Sequence, residues 1–188
     1  MLAAVAGTVP ESRAAGALLV GYGAARELAR FAADPRWRVQ VPGHPAEVRR
    51  VILDAVRRGD RTYVHVTDRS NAEPRDATEG FTLVRQGREG VVLAVGATPD
   101  PVLSATTGLD LTILYGATIR PYDEIGLRTP VLAADHADVV LVEPGEPGTS
   151  ARQVAETLVH VPHRLLALGE PDATGEQALA RAVRDFLR

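Results

Sequence analysis

Two short apolar runs, residues 111–115 and 139–142, constrain the fold of this chain more than any other feature. Both are rich in β-branched or aliphatic residues, and each ends at glycine or at Pro144-Gly145. Strands that are apolar on both faces are typical of a parallel sheet covered by helices on both sides. The pattern therefore predicts a layered α/β structure, with the segment between the two runs as a loop.

A glycine-rich turn, residues 145–150, follows the second run and leads into a predicted helix. Ser150 and Gln153 fit a capping box at the start of that helix. A turn at a helix N-terminus could hold an anion, because free backbone N–H groups point outward there. A simple tight turn from strand to helix is the favoured interpretation.

The first third of the chain alternates between strand and helix patterns. The clearest helix is predicted over residues 45–58, because Pro45 suits a first helical position and Gly59 suits a C-terminal cap. Three strands and a second, shorter helix are predicted around it. In chain order the elements are strand 17–20, helix 24–33, strand 37–41, helix 45–58 and strand 62–66. This is part of a parallel sheet. We expect it to leave an exposed edge and an uncovered apolar face.

The polar stretch 68–80 is predicted to be a linker, since it contains proline, glycine and many charges. The apolar runs 81–85 and 91–95 follow it and are predicted to form a hairpin. That hairpin would give the second sheet an antiparallel edge strand.

Composition excludes several classes of function. The chain has no cysteine, so disulfides, thiol nucleophiles and cysteine metal sites are excluded. Its net charge of −3 argues against binding to nucleic acid or to an anionic membrane surface. No apolar run approaches the ~20 residues of a membrane span. No basic segment precedes the apolar N-terminus, so we expect a cytoplasmic protein.

The usual motifs of nucleotide and metal chemistry are missing from the sequence. There is no Gly-Lys-Ser/Thr, and Gly21-Tyr22-Gly23 lacks the third glycine of a dinucleotide-binding turn. The five histidines show no metal-binding spacing with a carboxylate, so no metal site is predicted. No residue has the context of a catalytic nucleophile, and we name no catalytic residue.

One polar cluster, Asp68-Arg69-Ser70-Asn71, stands directly after a predicted parallel strand. Ligand sites of α/β sheets lie at the carboxyl ends of such strands. The guanidinium group of Arg69 could bind a phosphate through two hydrogen bonds. A solvated arginine in a linker is an equally good interpretation of the sequence by itself.

The order of segments over about residues 37–169 resembles transketolase. The resemblance rests on VQVPGHPAEVRRVILDAVRRGDRTYVHVTDRSNAEP, then VVLAVG, LDLTILYGATIRPYDE and ADVVLVEPGEPGTSARQVAETLVHVPHRLLALG. These segments are similar to the end of the pyrimidine-binding domain and the C-terminal domain of that family. The Asp-Arg-Ser-Asn cluster is similar to the family's Ser-Arg-Gln-Asn segment, so the resemblance implies that Arg69 binds the sugar phosphate. Deoxyxylulose-phosphate synthase and the β subunits of 2-oxo acid dehydrogenases share this layout and remain alternatives.

The resemblance implies thiamine diphosphate and Mg²⁺ as the cofactors of the complete family enzyme. The sequence has no Gly-Asp-Gly motif for them. The resemblance implies that the activating glutamate of the family belongs to the first part of the pyrimidine-binding domain, and we expect this chain either to begin after that part or to have lost those residues. We therefore name no cofactor-binding residue, and we expect the chain to bind no cofactor alone.

These observations predict an α/β protein with a truncated pyrimidine-binding domain, residues 1–76, and a transketolase C-terminal-like domain, residues 77–188. The second domain should hold a mostly parallel five-stranded sheet with one antiparallel edge strand. The predicted function is a part in two-carbon ketol transfer between sugar phosphates, with a thiamine diphosphate-binding transketolase subunit as partner and no activity alone. The alternatives are a non-catalytic module that self-associates or binds such a partner, and an inactive remnant.

Overall fold

The computed structural model describes residues 16–23, 25–75, 79–170 and 175–188, and it shows two sheets with helices around them. The strands in these ranges are β1 Leu18–Tyr22, β2 Arg38–Gln40, β3 Thr62–Val66, β4 Phe81–Arg85, β5 Gly90–Val95, β6 Leu111–Gly116, β7 Thr118–Arg120, β8 Asp138–Glu143 and β9 Arg164–Gly169. The helices are α1 Ala25–Ala33, α2 Pro45–Arg58, α3 Pro99–Ala105, α4 Glu124–Ala133, α5 Ala151–Thr157 and α6 Glu176–Phe186.

The larger sheet has the strand order β4-β6-β5-β8-β9. Strands β5, β6, β8 and β9 run parallel, and β4 pairs antiparallel with β6 at one edge. Every residue of β5, β6 and β8 is buried, as expected for strands covered on both faces. The predicted mostly parallel five-stranded sheet with one antiparallel edge strand is therefore confirmed.

The predicted hairpin between β4 and β5 is wrong. Phe81 pairs with Gly116, so β4 lies beside β6. The connection from β4 to β5 is tied to the start of β6, because Thr112 Oγ1 donates to Gly87 O at 2.8 Å. The wholly apolar β5 takes the middle of the sheet, where both of its faces and both of its edges are covered.

The smaller sheet has the order β1-β3-β2-β7. β1, β2 and β3 run parallel, as the alternating pattern predicted, and β7 pairs antiparallel with β2. β7 follows β6 after Ala117, so the chain passes directly from the larger sheet into the smaller one. The predicted boundary at residue 76 lies outside the described residues, and the division into two domains stays a prediction.

The segment between β6 and β8 was predicted to be a loop, and this is wrong. It contains β7 and helix α4. β7 is only three residues long, and α4 contains Gly126 and Pro130, which hide its helical pattern. The helix begins after Asp123, whose carboxylate accepts a hydrogen bond from Gly126 N at 2.8 Å.

Helix α2 has the predicted bounds. His44 caps its start by accepting a hydrogen bond from Ala46 N at 3.1 Å. Gly59 ends it in the left-handed conformation, with φ of 67°. Glu47, Val51 and Ala55 lie four residues apart and form its buried face.

One apolar core is shared by the two sheets. It joins Val39 and Tyr63 of the smaller sheet to Leu93 and Leu141 of the larger one. A second core lies on the opposite face of the larger sheet, where α3 and α6 pack. The two sheets are therefore joined through buried apolar side chains.

Replacing Leu93 with alanine should destabilise the fold strongly, since this side chain is fully buried in the shared core. We expect a loss of about 2–5 kcal/mol in the free energy of unfolding, from lost burial and a cavity. Leu83→Ala is the matched control, because Leu83 is 53% exposed and should change stability by less than about 0.5 kcal/mol. Urea unfolding followed by circular dichroism measures both, and equal losses would contradict this packing.

Candidate functional site at the carboxyl ends of the two sheets

The carboxyl ends of the parallel strands in the two sheets face each other. A Cβ atom built on Gly96, after β5, would lie 2.9 Å from Val41 Cγ1, after β2, and 3.6 Å from Pro144 Cγ, after β8. A Cβ atom built on Gly145 would lie 3.0 Å from Ala25 Cβ, at the start of α1. We call this region the carboxyl-edge junction; it comprises residues 41–47, 67–75, 96–100 and 143–150 together with Glu170. Ligand sites of α/β proteins lie in such places.

Glu47 is the buried polar centre of the junction. Its carboxylate accepts hydrogen bonds from Gly43 N at 2.9 Å, from Arg75 N at 2.6 Å and from the hydroxyl of Tyr115. Burial, and then the Glu47 carboxylate, raise the pKa of Tyr115 well above its usual range, so its hydroxyl stays a donor. One side chain of α2 therefore joins β6 to the loop after β3.

The sequence pattern places Glu47 in the predicted helix 45–58 and Tyr115 in the apolar run 111–115, and it predicts a site at neither residue. A signal for Glu47 was present, because it shares the buried face of the helix with Val51 and Ala55. A carboxylate on a buried face requires hydrogen-bond donors. Those donors come from distant parts of the chain, and the sequence pattern does not identify them.

The loop after β3 is fixed in place over residues 71–75. Asn71 is buried; its backbone N donates to Gly43 O at 2.8 Å, and its side-chain amide donates to Gly96 O at 3.1 Å. Asp100 accepts from Ala72 N at 2.6 Å and from the Arg75 guanidinium at 3.0 Å. This half of the predicted linker is thus part of the junction and presents Arg69 from a defined position.

Arg69 lies after the carboxyl end of β3, as predicted, and faces Glu170, the first residue after β9. Its Nε is 3.7 Å from Glu170 Oε1, and its side chain is 39% exposed, compared with 13% for Glu170. Burial raises the pKa of Glu170, while Arg69 lowers it and Asp68 raises it. The structure brings Arg69 and Glu170 together, and the assignment of Arg69 to phosphate binding stays a prediction.

The glycine-rich turn at residues 145–150 is already occupied by a carboxyl group of the chain itself. The Glu143 carboxylate is buried and accepts from Ser150 N at 3.0 and 3.2 Å through its two oxygens. Burial raises the pKa of Glu143, and the backbone N–H of Ser150 opposes this. The interpretation as a tight strand-to-helix turn is confirmed.

Ser150 precedes α5 as predicted, but the capping box with Gln153 is wrong. The Ser150 hydroxyl makes no capping hydrogen bond. Its ψ of 8° is far from the extended conformation that aims a capping side chain at the helix N–H groups.

Replacing Glu143 with glutamine should change how stability depends on pH. A raised carboxyl pKa means that the folded state binds the proton more tightly than the unfolded state, so this group costs stability as pH rises above its unfolded value near 4.3. We therefore expect the stability of E143Q relative to wild type to increase between about pH 4 and pH 7. Urea unfolding at each pH measures this difference, and a difference independent of pH would contradict it. E146Q, at an exposed position of the same turn, is the control.

The described residues do not fit thiamine diphosphate and Mg²⁺, the cofactors that the resemblance to transketolase implies. Among residues 16–23, 25–75, 79–170 and 175–188, no three metal-ligating side chains come together to hold an ion. The turn that could receive a diphosphate is filled by Glu143. We derive no step through thiamine diphosphate or Mg²⁺ on this chain.

No helix in the same ranges is long and apolar enough to cross a membrane.

Comparison with known proteins supports the fold. No family model matches the chain. A protein of Rhodococcoides fascians, described as an uncharacterized 33.6 kDa protein in the fasciation locus, is 46% identical over 169 residues, which is 82% of this chain and 54% of that protein. The chain thus spans about half the length of this relative.

A solved structure described as a split-gene transketolase, in an inactive β4 tetramer, superposes with a TM-score of 0.74. The match covers 90% of this chain and 65% of that one, at 18% sequence identity. The chain has a transketolase-like α/β fold.

Proposed function

We propose that this chain is the substrate-binding portion of a thiamine diphosphate-dependent transferase that moves two-carbon ketol units between sugar phosphates. In this proposal residues 1–76 belong to a pyrimidine-binding domain and residues 77–188 to a C-terminal domain. A partner subunit with a diphosphate-binding domain supplies the cofactor, and the chain has no activity alone.

One observation carries the proposal: Arg69 stands at the carboxyl-edge junction of a transketolase-like fold, with its guanidinium partly exposed. The buried contacts of Asn71 and Glu47 hold the loop that presents it. An arginine presented by a fixed loop can bind a phosphate through two parallel hydrogen bonds. The similarity to a split-gene transketolase supports a division of the active centre between two chains.

Reconstitution tests this proposal. The chain is mixed with the subunit from the same genome that carries a Gly-Asp-Gly diphosphate-binding domain, and ketol transfer is measured with thiamine diphosphate and Mg²⁺. We expect activity only when both subunits are present. We expect R69Q to raise the KM for the sugar phosphate by about 10–100-fold, with a smaller effect on kcat. R36Q is the matched control, because Arg36 is an exposed arginine that pairs with nearby Asp34.

Two results would contradict the proposal. One is calorimetric binding of thiamine diphosphate with Mg²⁺ to the chain alone. The other is an R69Q mixture with the wild-type KM.

Self-association is a second candidate function, favoured by the exposed apolar side chains of β1 and α2. Val20 and Tyr22 on β1 and Leu53 and Val56 on α2 are all more than half exposed, and α2 packs beside β1. Apolar groups exposed together mark interaction surfaces. Sedimentation velocity should show concentration-dependent assembly that is lost in the Leu53→Ser, Val56→Ser double variant; a monomer at all concentrations would exclude this candidate.

A further inference from the structure

The carboxylate of Glu170 has an unusual environment for a purely structural group. It follows β9 directly, and its Oε1 is buried yet makes no hydrogen bond within the part of the chain that the structure describes. An unsatisfied buried oxygen is costly, and a charged one more so. A packing role would be served better by an apolar side chain of similar size.

Arg69 is the cation that faces this carboxylate. The distance of 3.7 Å between Arg69 Nε and Glu170 Oε1 is too long for a hydrogen bond, so the contact is an ion pair with loose geometry. Arg69 is three times as exposed as Glu170, so the guanidinium can be approached from solvent, whereas the carboxylate is largely buried. Asp68, which is exposed, is a second negative charge close enough to Glu170 to raise the pKa of that carboxyl group.

We propose that Glu170 is a positioning residue that holds Arg69 at the junction and sets its affinity for phosphate by competing for the guanidinium. This inference rests on the proposed function of Arg69. A phosphate that binds Arg69 must replace the attraction of Glu170 and also approach a carboxylate of the same sign. Burial raises the pKa of Glu170 and Arg69 lowers it, so the guanidinium favours the charged form of this carboxylate. The phosphate site would therefore be weak by construction, and a neutral side chain at position 170 would strengthen it.

Titration with inorganic phosphate, followed by the NMR signal of the Arg69 side-chain N–H, tests the inference. We expect E170Q to bind phosphate about tenfold more tightly than wild type, because one negative charge near the bound dianion is removed. D68N is the matched control; it removes the same charge at an exposed position, and solvent screening should keep its effect below about twofold. R69Q, followed through backbone amide signals of residues 67–71, should lose the response.

The outcomes separate the two claims. Equal affinity in E170Q and wild type, with binding lost in R69Q, overturns the role of Glu170 and leaves that of Arg69. Unchanged phosphate binding in R69Q, or no response in wild type and E170Q, overturns both.

A second measurement needs no ligand. The carboxyl carbon of Glu170 is titrated by NMR in wild type and R69Q, and we expect a higher pKa in R69Q because the facing cation is gone. An identical pKa in the two proteins would show that the ion pair is absent in solution and would overturn the inference. Circular dichroism spectra of all variants confirm that they are folded.

Discussion

Replacing Glu47 with alanine is expected to lower the free energy of unfolding by about 3–5 kcal/mol, because three donors lose the buried carboxylate that accepts from them, although Gly43 N keeps a second acceptor in the Tyr115 hydroxyl. These donors are Gly43 N, Arg75 N and the hydroxyl of Tyr115. Since they belong to three different elements, the loss should also release the loop that presents Arg69. Urea unfolding measures the stability, and amide hydrogen exchange over residues 69–75 measures the release of the loop.

Two other variants make this prediction specific. Tyr115→Phe removes one of the three donors together with the second acceptor of Gly43 N, and it should cost about 1–2 kcal/mol. Glu73→Ala, at an exposed position of the same loop, should change stability by less than about 0.5 kcal/mol. If Glu47→Ala were no more destabilising than Glu73→Ala, the buried network would not exist in solution.

Replacing Gly43 with alanine should be almost as damaging, for a steric reason. A Cβ at this position would lie 2.1 Å from Gly96 O and 2.3 Å from the Asn71 side-chain nitrogen. The first of these atoms is backbone at the end of β5 and cannot move without separating the two sheets. We expect a loss of about 3 kcal/mol or more in the free energy of unfolding, or failure to fold.

Gly59→Ala is the control for this substitution. Gly59 has a positive φ of 67° and open space around its Cβ position, so only the backbone conformation opposes alanine, at about 1 kcal/mol. Thermal unfolding compares the two variants. A smaller effect at Gly43 than at Gly59 would show that the carboxyl ends of the sheets do not meet as described.

Local sequence signals predicted the elements well where they were strong. Helix α2 has a proline at its start, a glycine at its end and a buried face at regular spacing, and its bounds were predicted correctly. Strands β5, β6 and β8 were recognisable because their residues are apolar on both faces. β7 and α4 were missed, because a three-residue strand has no periodicity and Pro130 interrupts the helical pattern.

Pairing between distant segments could not be predicted in the same way. β4 and β5 are neighbours in sequence and both apolar, which favours a hairpin, yet β4 pairs with β6. Which strand pairs with β4 depends on the whole sheet, because the most apolar strand, β5, lies at its centre. The same limit applies to the candidate site.

The position of Arg69 followed from the rule that ligand sites lie at the carboxyl ends of parallel strands. Its neighbour Glu170 was not predicted, because it follows β9 far along the chain and has no motif around it. The role of Glu143 was not predicted either. Its carboxylate fills the turn that the sequence offered as an anion site, which only the three-dimensional structure shows.

Binding of ribose 5-phosphate to the chain, measured by NMR, tests the central claim most directly. If the junction binds a sugar phosphate through Arg69, ribose 5-phosphate should shift the amide signals of residues 67–71 and the Arg69 side-chain N–H, and ribose should not. R69Q should show no response to either compound. Equal responses to ribose and ribose 5-phosphate, or a response to ribose 5-phosphate that survives in R69Q, would contradict the assignment of this site.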